Sequence, residues 1–394
     1  MKNVRKMILW SFLIFFLMMC FPLTSYATEN EEETLSQEDL LESQMDELKI
    51  SDFLQQGKQY TEEVYGEIDF QEVLTNAFSG KINHEEIFQG IFQQVGKEGL
   101  ENVTLILNIL IIIIIHSILR SFTEGLENKG IGKVAYFTQY ILIATIILTS
   151  FTQIIEMVKD SIENLTGFMN CLIPILITLL VTTGSFASAG MLEPVLLFLI
   201  TLIGNLMNAV ILPLILASTV LILVSNLGKQ VQVDKLAKFF HSSAIWILGV
   251  VLTLFVGVVS LEGSLTSNVD GITAKTTKAA VSSFVPVVGK ILGDAVDTVI
   301  GCSSILKNAV GIIGFIVILG ICIGPIIKLT IMMALYYLTA AVCQPIADEK
   351  IIHILEQMGG TFKVLLAILC SISVMLIIGV ALVMKISNAG LMYR

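Results

Sequence analysis

The chain reads as an all-α, polytopic helical membrane protein with a duplicated multispan core and a small helical extracytoplasmic N-terminal region, and three features of the sequence predict it. The first is composition: of 394 residues, 55% are hydrophobic and only 14% charged, with a mean hydropathy of +0.85. No soluble globular domain sustains such a balance over this length. The second is the placement of charge. Residues 28–100 hold 18 Asp and Glu against 4 Lys, so a net charge of −10 leaves about +4 for everything else. An acidic segment beside a greasy, mildly basic remainder argues against nucleic acid as a partner. The third is a recurrence among scarce residues: Pro174 and Pro286 lie 112 apart, as do Pro213 and Pro325, and Lys238-Phe-Phe-His241 returns at that offset as Lys350-Ile-Ile-His353. Repeated membrane units with prolines breaking helices at corresponding places are a plan used to move something across a bilayer. Pro194 and Pro345 find no counterpart at this offset.

The elements follow in order. Residues 1–27 form a signal peptide: Lys2, Arg5 and Lys6, an apolar run from Met7 to Phe21, and Ser25-Tyr26-Ala27 as a small-x-small cleavage site. An uncleaved anchor is the alternative, although about fifteen apolar residues is short for a span. Either way, the acidic region 28–100 lies outside the cytoplasm. It is helical by pattern, with Ser36 placed to cap a helix carrying Leu40, Leu41, Met45 and Leu48, and Ser51 one carrying Phe53 and Leu54. Ile87, Phe88, Ile91, Phe92 and Val95 make a further helical stripe.

Residues 101–134 contain the clearest span, 102–119, which ends at Arg120 and precedes a loop with Lys129 and Lys133. By the positive-inside rule that loop is cytoplasmic. Membrane repeat 1 occupies 135–243. A span at 135–155 leads to an outer loop with Glu156, Lys159, Asp160 and Glu163, and the stretch from Phe168 to Leu227 has room for three crossings before Lys229, Lys235 and Lys238. Membrane repeat 2 occupies 244–355, with a crossing at 243–260, an apolar stretch from Phe284 to Val342 and the second K-x-x-H element. Residues 356–394 supply a last span at 364–384 and a tail. An even number of crossings per copy makes the repeats parallel and puts both K-x-x-H elements on the cytoplasmic side; one re-entrant stretch would invert them.

Residues 284–301 are the exception to this hydropathy. Lys290, Asp294 and Asp297 share one helical face, and each charge costs about 2.5–3.5 kcal/mol at a helix centre, against about 0.3–0.6 returned by a large apolar residue. Such a helix either lies at the interface or turns its charges into a polar path. We take Lys290, Asp294 and Asp297 as candidates for that path, and Pro174, Pro213, Pro286 and Pro325 as helix breaks. Lys238, His241, Lys350 and His353 are candidates for cytoplasmic docking, since each pair opens an amphipathic segment.

The usual chemistry is missing. There is no phosphate-binding G-x-x-x-x-G-K-[ST] loop, and His84-Glu85-Glu86 lacks the second histidine of a zinc hydrolase helix. Four scattered histidines specify neither a metal site nor an acid-base pair, so no enzyme activity and no cofactor are expected. Cys171, Cys302, Cys322, Cys343 and Cys370 lie in or beside apolar runs without C-x-x-C spacing and read as packing residues. His116 with Arg120 reads as snorkelling at a span end, Glu193 as a carboxylate at a helix start, and Asn205 with Asn208 as interhelical glue.

Phe284-Val-Pro-Val-Val-Gly-Lys-Ile-Leu-Gly-Asp-Ala-Val-Asp-Thr-Val, then Leu306-Lys-Asn-Ala-Val-Gly-Ile-Ile-Gly and Cys343-Gln-Pro-Ile-Ala-Asp, resemble the stage III sporulation protein AE family of endospore-forming Firmicutes. The resemblance extends over essentially the whole chain. It implies a multi-pass protein of the mother-cell (outer forespore) membrane, part of a channel-like complex with the other stage III A membrane proteins, their ATPase component and a forespore-side partner. That complex would support forespore development and gene expression after engulfment, with the acidic region between the two membranes and the K-x-x-H elements facing mother-cell cytoplasm. The resemblance brings no catalytic or ligand residue with it. The alternatives are an autonomous secondary transporter of a small solute and a membrane scaffold for the complex.

Overall fold

The computed structural model describes residues 107–115, 117–118, 129–227, 233–284 and 288–392, together with Gln55 and Gly57. The signal peptide, nearly all of the acidic region, both edges of the first span and Pro286 lie outside the described residues. Side chains are described for the stretches 137–225, 233–262 and 300–386, among others, so those of Lys290, Asp294 and Asp297 are not.

The architecture is all-helical. After a helical stretch at 107–115 come α1 (Lys129–Thr182), α2 (Phe186–Leu206), a π-helical turn (Met207–Ile211), α3 (Leu212–Leu227), α4 (Asp234–Phe284), α5 (Val288–Cys343) and α6 (Glu349–Met392). The π turn joins α2 and α3 end to end, so the two act as one rod. Five helices among the described residues are long and apolar enough to cross a membrane: Phe137–Thr182, Phe186–Ser225, Asp234–Glu262, Ile300–Cys343 and Glu349–Ile386. The chain is therefore a multi-pass membrane protein.

Contacts fix the direction of each helix. Glu163 meets Asn208, Thr166 faces Gly204, and the Tyr140 hydroxyl donates to the Leu223 carbonyl, so α1 and the rod are antiparallel. The Ser218 hydroxyl donates to the Ala237 carbonyl at 2.8 Å across the turn from α3 into α4. Tyr337 packs on Gly359, Cys322 lies 2.7 Å from Ser373, and Met384 faces Gly311, so α5 and α6 form a second antiparallel hairpin. Phe151 stacks edge-on against Phe362 at 6.0 Å, while Leu172 faces Gly314, which sets α1 parallel to α6 and antiparallel to α5. The bundle thus runs up, down, up, down, up. One continuous core of Ile, Leu, Val and Phe fills it, including Phe151, Val158, Leu165, Leu172, Val310, Val317, Phe362 and Leu369.

The span count is a correction. The charged run expected to be an outer loop, Glu156 to Glu163, is helical, and α1 passes straight through it. The physical reason is local: 153–166 contains neither Gly nor Pro, Lys159 and Glu163 pair at i,i+4, and Ser161 and Thr166 tuck their hydroxyls onto carbonyls one turn back. The chain turns instead at Thr183-Gly184, where Gly184 takes φ +86, open to glycine at little cost. The expected three crossings between Phe168 and Leu227 are correspondingly the end of α1 and the single rod.

The prolines are a second correction. Pro174 and Pro325 sit inside α1 and α5, which continue through them rather than breaking. Each removes one backbone N–H, a loss that surrounding helices tolerate within a membrane bundle. Pro213 does disturb its helix: it follows the π turn, where the Leu212 N–H reaches back to the Met207 carbonyl, five residues rather than four.

Candidate functional site

The uninterrupted path of α1 brings its charges into register. Glu156, Asp160 and Glu163 stand at i, i+4 and i+7 on one helical face with Lys159 beside them, and all four are exposed. Ile154, Val158, Ile162 and Leu165 take the opposite face into the core. Lys159 Nζ lies 3.7 Å from Glu163 Oε1, with both side chains just over half exposed, a pairing that contributes little by itself. Asn208 Nδ2 donates to the same carboxylate at 3.3 Å, while Asn208 Oδ1 is buried without a hydrogen-bond partner. Asn208 belongs to the π turn, so the belt joins α1 to the one irregular turn of the rod. Asn205, read with it as interhelical glue, is exposed.

The depth of this belt gives it meaning. α4 and α6 each offer one uncharged run, 243–261 and 364–384, the latter about 31 Å long, one hydrocarbon thickness. Among the described residues, these two runs set a common depth at which the five helices can cross together. Phe151 meets Phe362 just before the α6 run begins, and Leu172 faces Gly314 near the level where Met384 ends it. Residues 151–172 of α1 therefore lie beside the α6 run, with the belt inside that interval. Charges turned to lipid at such a depth cost about 2.5–3.5 kcal/mol each. The belt is thus placed for a polar path or a protein neighbour, not for acyl chains.

A second polar feature escaped the sequence reading. Lys307 on α5 has 0% exposure, and its Nζ donates to the Val383 carbonyl at 3.2 Å and the Met384 carbonyl at 3.0 Å on α6. Gly311 and Gly314 continue the same α5 face at i+4 and i+7, letting α6 and α1 approach closely at Met384 and Leu172. The available signal was the spacing of Lys307, Gly311 and Gly314; the flanking apolar run drowned it.

The docking candidates are on helices rather than in loops. Lys238 and His241 lie in the opening turns of α4, Lys350 and His353 in those of α6, and both sets sit at one end of the bundle. They do not present the same face: Lys238 is exposed and His241 half-buried, whereas Lys350 is half-buried and His353 exposed, with His353 Nε2 3.1 Å from Gln357 Nε2. Lys290, Asp294 and Asp297 are in the first turns of α5, so that segment is helical as expected. No group of three or more His, Cys, Asp or Glu able to hold a metal ion occurs among the described residues.

A fold of crossing helices with a polar belt and no assembled chemistry leaves the family to be settled by comparison. The family model described as stage III sporulation protein AE matches residues 68–387. The stage III sporulation protein AE of Bacillus subtilis (strain 168) is 33% identical over 310 residues, covering 79% of this chain and 78% of that protein. No solved structure matches. A match to the family model over most of the chain, together with this relative, shows that the chain belongs to the stage III sporulation protein AE family.

Proposed function

We propose that the protein is a non-enzymatic membrane subunit of a sporulation transport apparatus linking mother cell and forespore, and that the α1 belt lines part of its polar path. The observation that carries this reading is the exposure of four charged side chains on α1 alongside the uncharged run of α6. Lys290, Asp294 and Asp297, about four to six turns before Gly311 on α5, continue the proposed path beyond the end of the α6 run, on the side away from the lysine-bearing helix starts. The partners are the other stage III A membrane proteins, the ATPase component and a forespore-side protein across the intermembrane space. A duplicated core is supported by direction: Pro213 and Pro325 lie in helices that both descend, Lys238 and Lys350 in helices that both rise.

Orientation follows from charge. The start of α1 with Lys129 and Lys133, the start of α4 with Lys235 and Lys238, and the start of α6 with Lys350 all gather at one end. The positive-inside rule makes that end mother-cell cytoplasm, where the ATPase component would dock. Five crossings put the far end of α6 on the other side. A topology reporter fused after Met392 is therefore expected outside the cytoplasm and one inserted before Asp234 inside; matching signals from both would overturn the orientation.

The belt itself is tested by charge removal. Glu156→Gln, Asp160→Asn and Glu163→Gln combined are expected to lower heat-resistant spore yield by about tenfold or more while membrane insertion persists, because neutral amides are cheaper than carboxylates at this depth. Wild-type spore yield from a variant present at normal level would remove the belt from the path.

A further inference from the structure

Between Glu156 and Cys171, the exposed positions of α1 are Glu156, Lys159, Asp160, Glu163, Asn164, Asn170 and Cys171, and none of them is a large apolar residue. A lipid-facing helix shows the reverse pattern, as α1 itself does lower down at Phe137, Ile141, Leu142 and Leu148. Over about 24 Å, four and a half turns, this face is therefore built for something other than acyl chains. Among the described residues, only Asn208 of the rod reaches it, at Glu163.

We infer that this face of α1 is the seam against a second copy of the same chain, so that the polar path runs between copies rather than through one bundle. The inference rests on the reading of the belt as a path and names what lies across it. Copies inserted by the same charge rule share one orientation, so the face of each meets the face of the next at equal depth. Its asparagines suit their own image, while its carboxylates need the water of a lumen between them. Asn164 and Asn170 carry donors and an acceptor alike, and so can pair with their counterparts. Lys159 lies among three carboxylates and can answer those of a neighbour as it answers Glu163. Gly167 and Cys171, one turn apart, lower the profile of the helix and admit a second backbone closely. Three carboxylates against one ammonium per copy leave any lumen at the seam negative, which favours cationic cargo over anionic.

Cys171 provides a native probe, being the exposed cysteine of the described set; Cys302, Cys322 and Cys343 are buried and Cys370 is half-buried. Copper-phenanthroline oxidation of intact membranes is expected to convert much of the full-length protein to a disulfide-linked dimer. Cys171→Ser should abolish that product, and Asn164→Cys or Asn170→Cys in the Cys171→Ser background should restore it. Trp246→Cys in that background, on the outward face of α4, should give far less. Oxidation products of another mass, no dimer at all, or equal yield at Trp246→Cys would overturn the seam. The two readings fail separately: a dimer with full spore yield after belt neutralisation discards the path, whereas a collapsed yield without dimer keeps the path and discards the second copy.

Discussion

Lys307→Glu is expected to empty the membrane fraction of this protein, while Lys307→Met is expected to leave its level near wild type. The lysine head has no exposed surface and donates to two consecutive carbonyls of α6, at 3.2 Å and 3.0 Å. A carboxylate at that point would set an acceptor against two acceptors and bury an uncompensated charge, a change costing about 3–5 kcal/mol. Against a total stability of about 5–15 kcal/mol for an ordinary domain, that is a large share. Methionine keeps the length of the stem and removes the desolvation of the ammonium, and exchanges of this kind are often neutral or stabilising. Quantifying both variants in washed membranes checks the pair. If Lys307→Met is depleted as deeply as Lys307→Glu, the ammonium holds α5 to α6 and is more than a tolerated charge.

The second large effect is at Gly314. A Cβ placed there would lie 2.6 Å from Leu172 Cδ2 and 3.5 Å from Cδ1, and Leu172 is itself fully buried in the core. Leu172 cannot swing out to solvent, so Gly314→Ala must part α5 from α1, at a typical cost of about 1–3 kcal/mol, and Gly314→Leu must part them further. Gly311 offers a contrast one turn away. The three atoms nearest its would-be Cβ, Sδ, Cγ at 2.7 Å and Cε at 3.1 Å, all belong to Met384, a half-buried, unbranched side chain that can change rotamer, and alanine regains about 1 kcal/mol of helix propensity. Thermal unfolding in detergent should rank wild type and Gly311→Ala together, Gly314→Ala below them, and Gly314→Leu lowest. Equal midpoints for the two alanine variants would mean the α5–α1 contact is looser than Leu172 suggests.

Much of the fold was legible because hydropathy and charge act over long windows. The membrane class, the helical character and the gathering of lysine-bearing helix starts at one end all follow from such windows. The expected sidedness is compatible with the smaller number of crossings, since merging spans in pairs leaves parity unchanged. What hydropathy misreads is a polar stretch with high helix propensity. Glu156 to Glu163 lowers the local average as a loop would, yet it holds no residue able to stop a helix, whereas Gly184 does. Prolines were overweighted for the opposite reason: at Pro174 the helix loses a single hydrogen bond, and packing against the rod, α5 and α6 outweighs it. The candidate site was only half legible. Its residues were visible as charges, but their meeting with Asn208, 45 positions away, depends on a hairpin register that one sequence does not encode locally.

The up-down-up-down-up order also has an electrical consequence. Among the five crossing helices of the described residues, three N-termini and two C-termini meet at the lysine-bearing end, so the macrodipoles of these five leave about half an elementary charge of positive polarity there. A membrane potential negative on the inside acts on charge at about 2.3 kcal/mol per unit per 100 mV, hence at about 1 kcal/mol on this residual half unit. With the lysine-bearing end in the cytoplasm, as proposed, the backbone of these five helices pulls in the same direction as the lysines. An energised membrane favours the same orientation as the loop charges, through a field that substitution of individual lysines would leave in place.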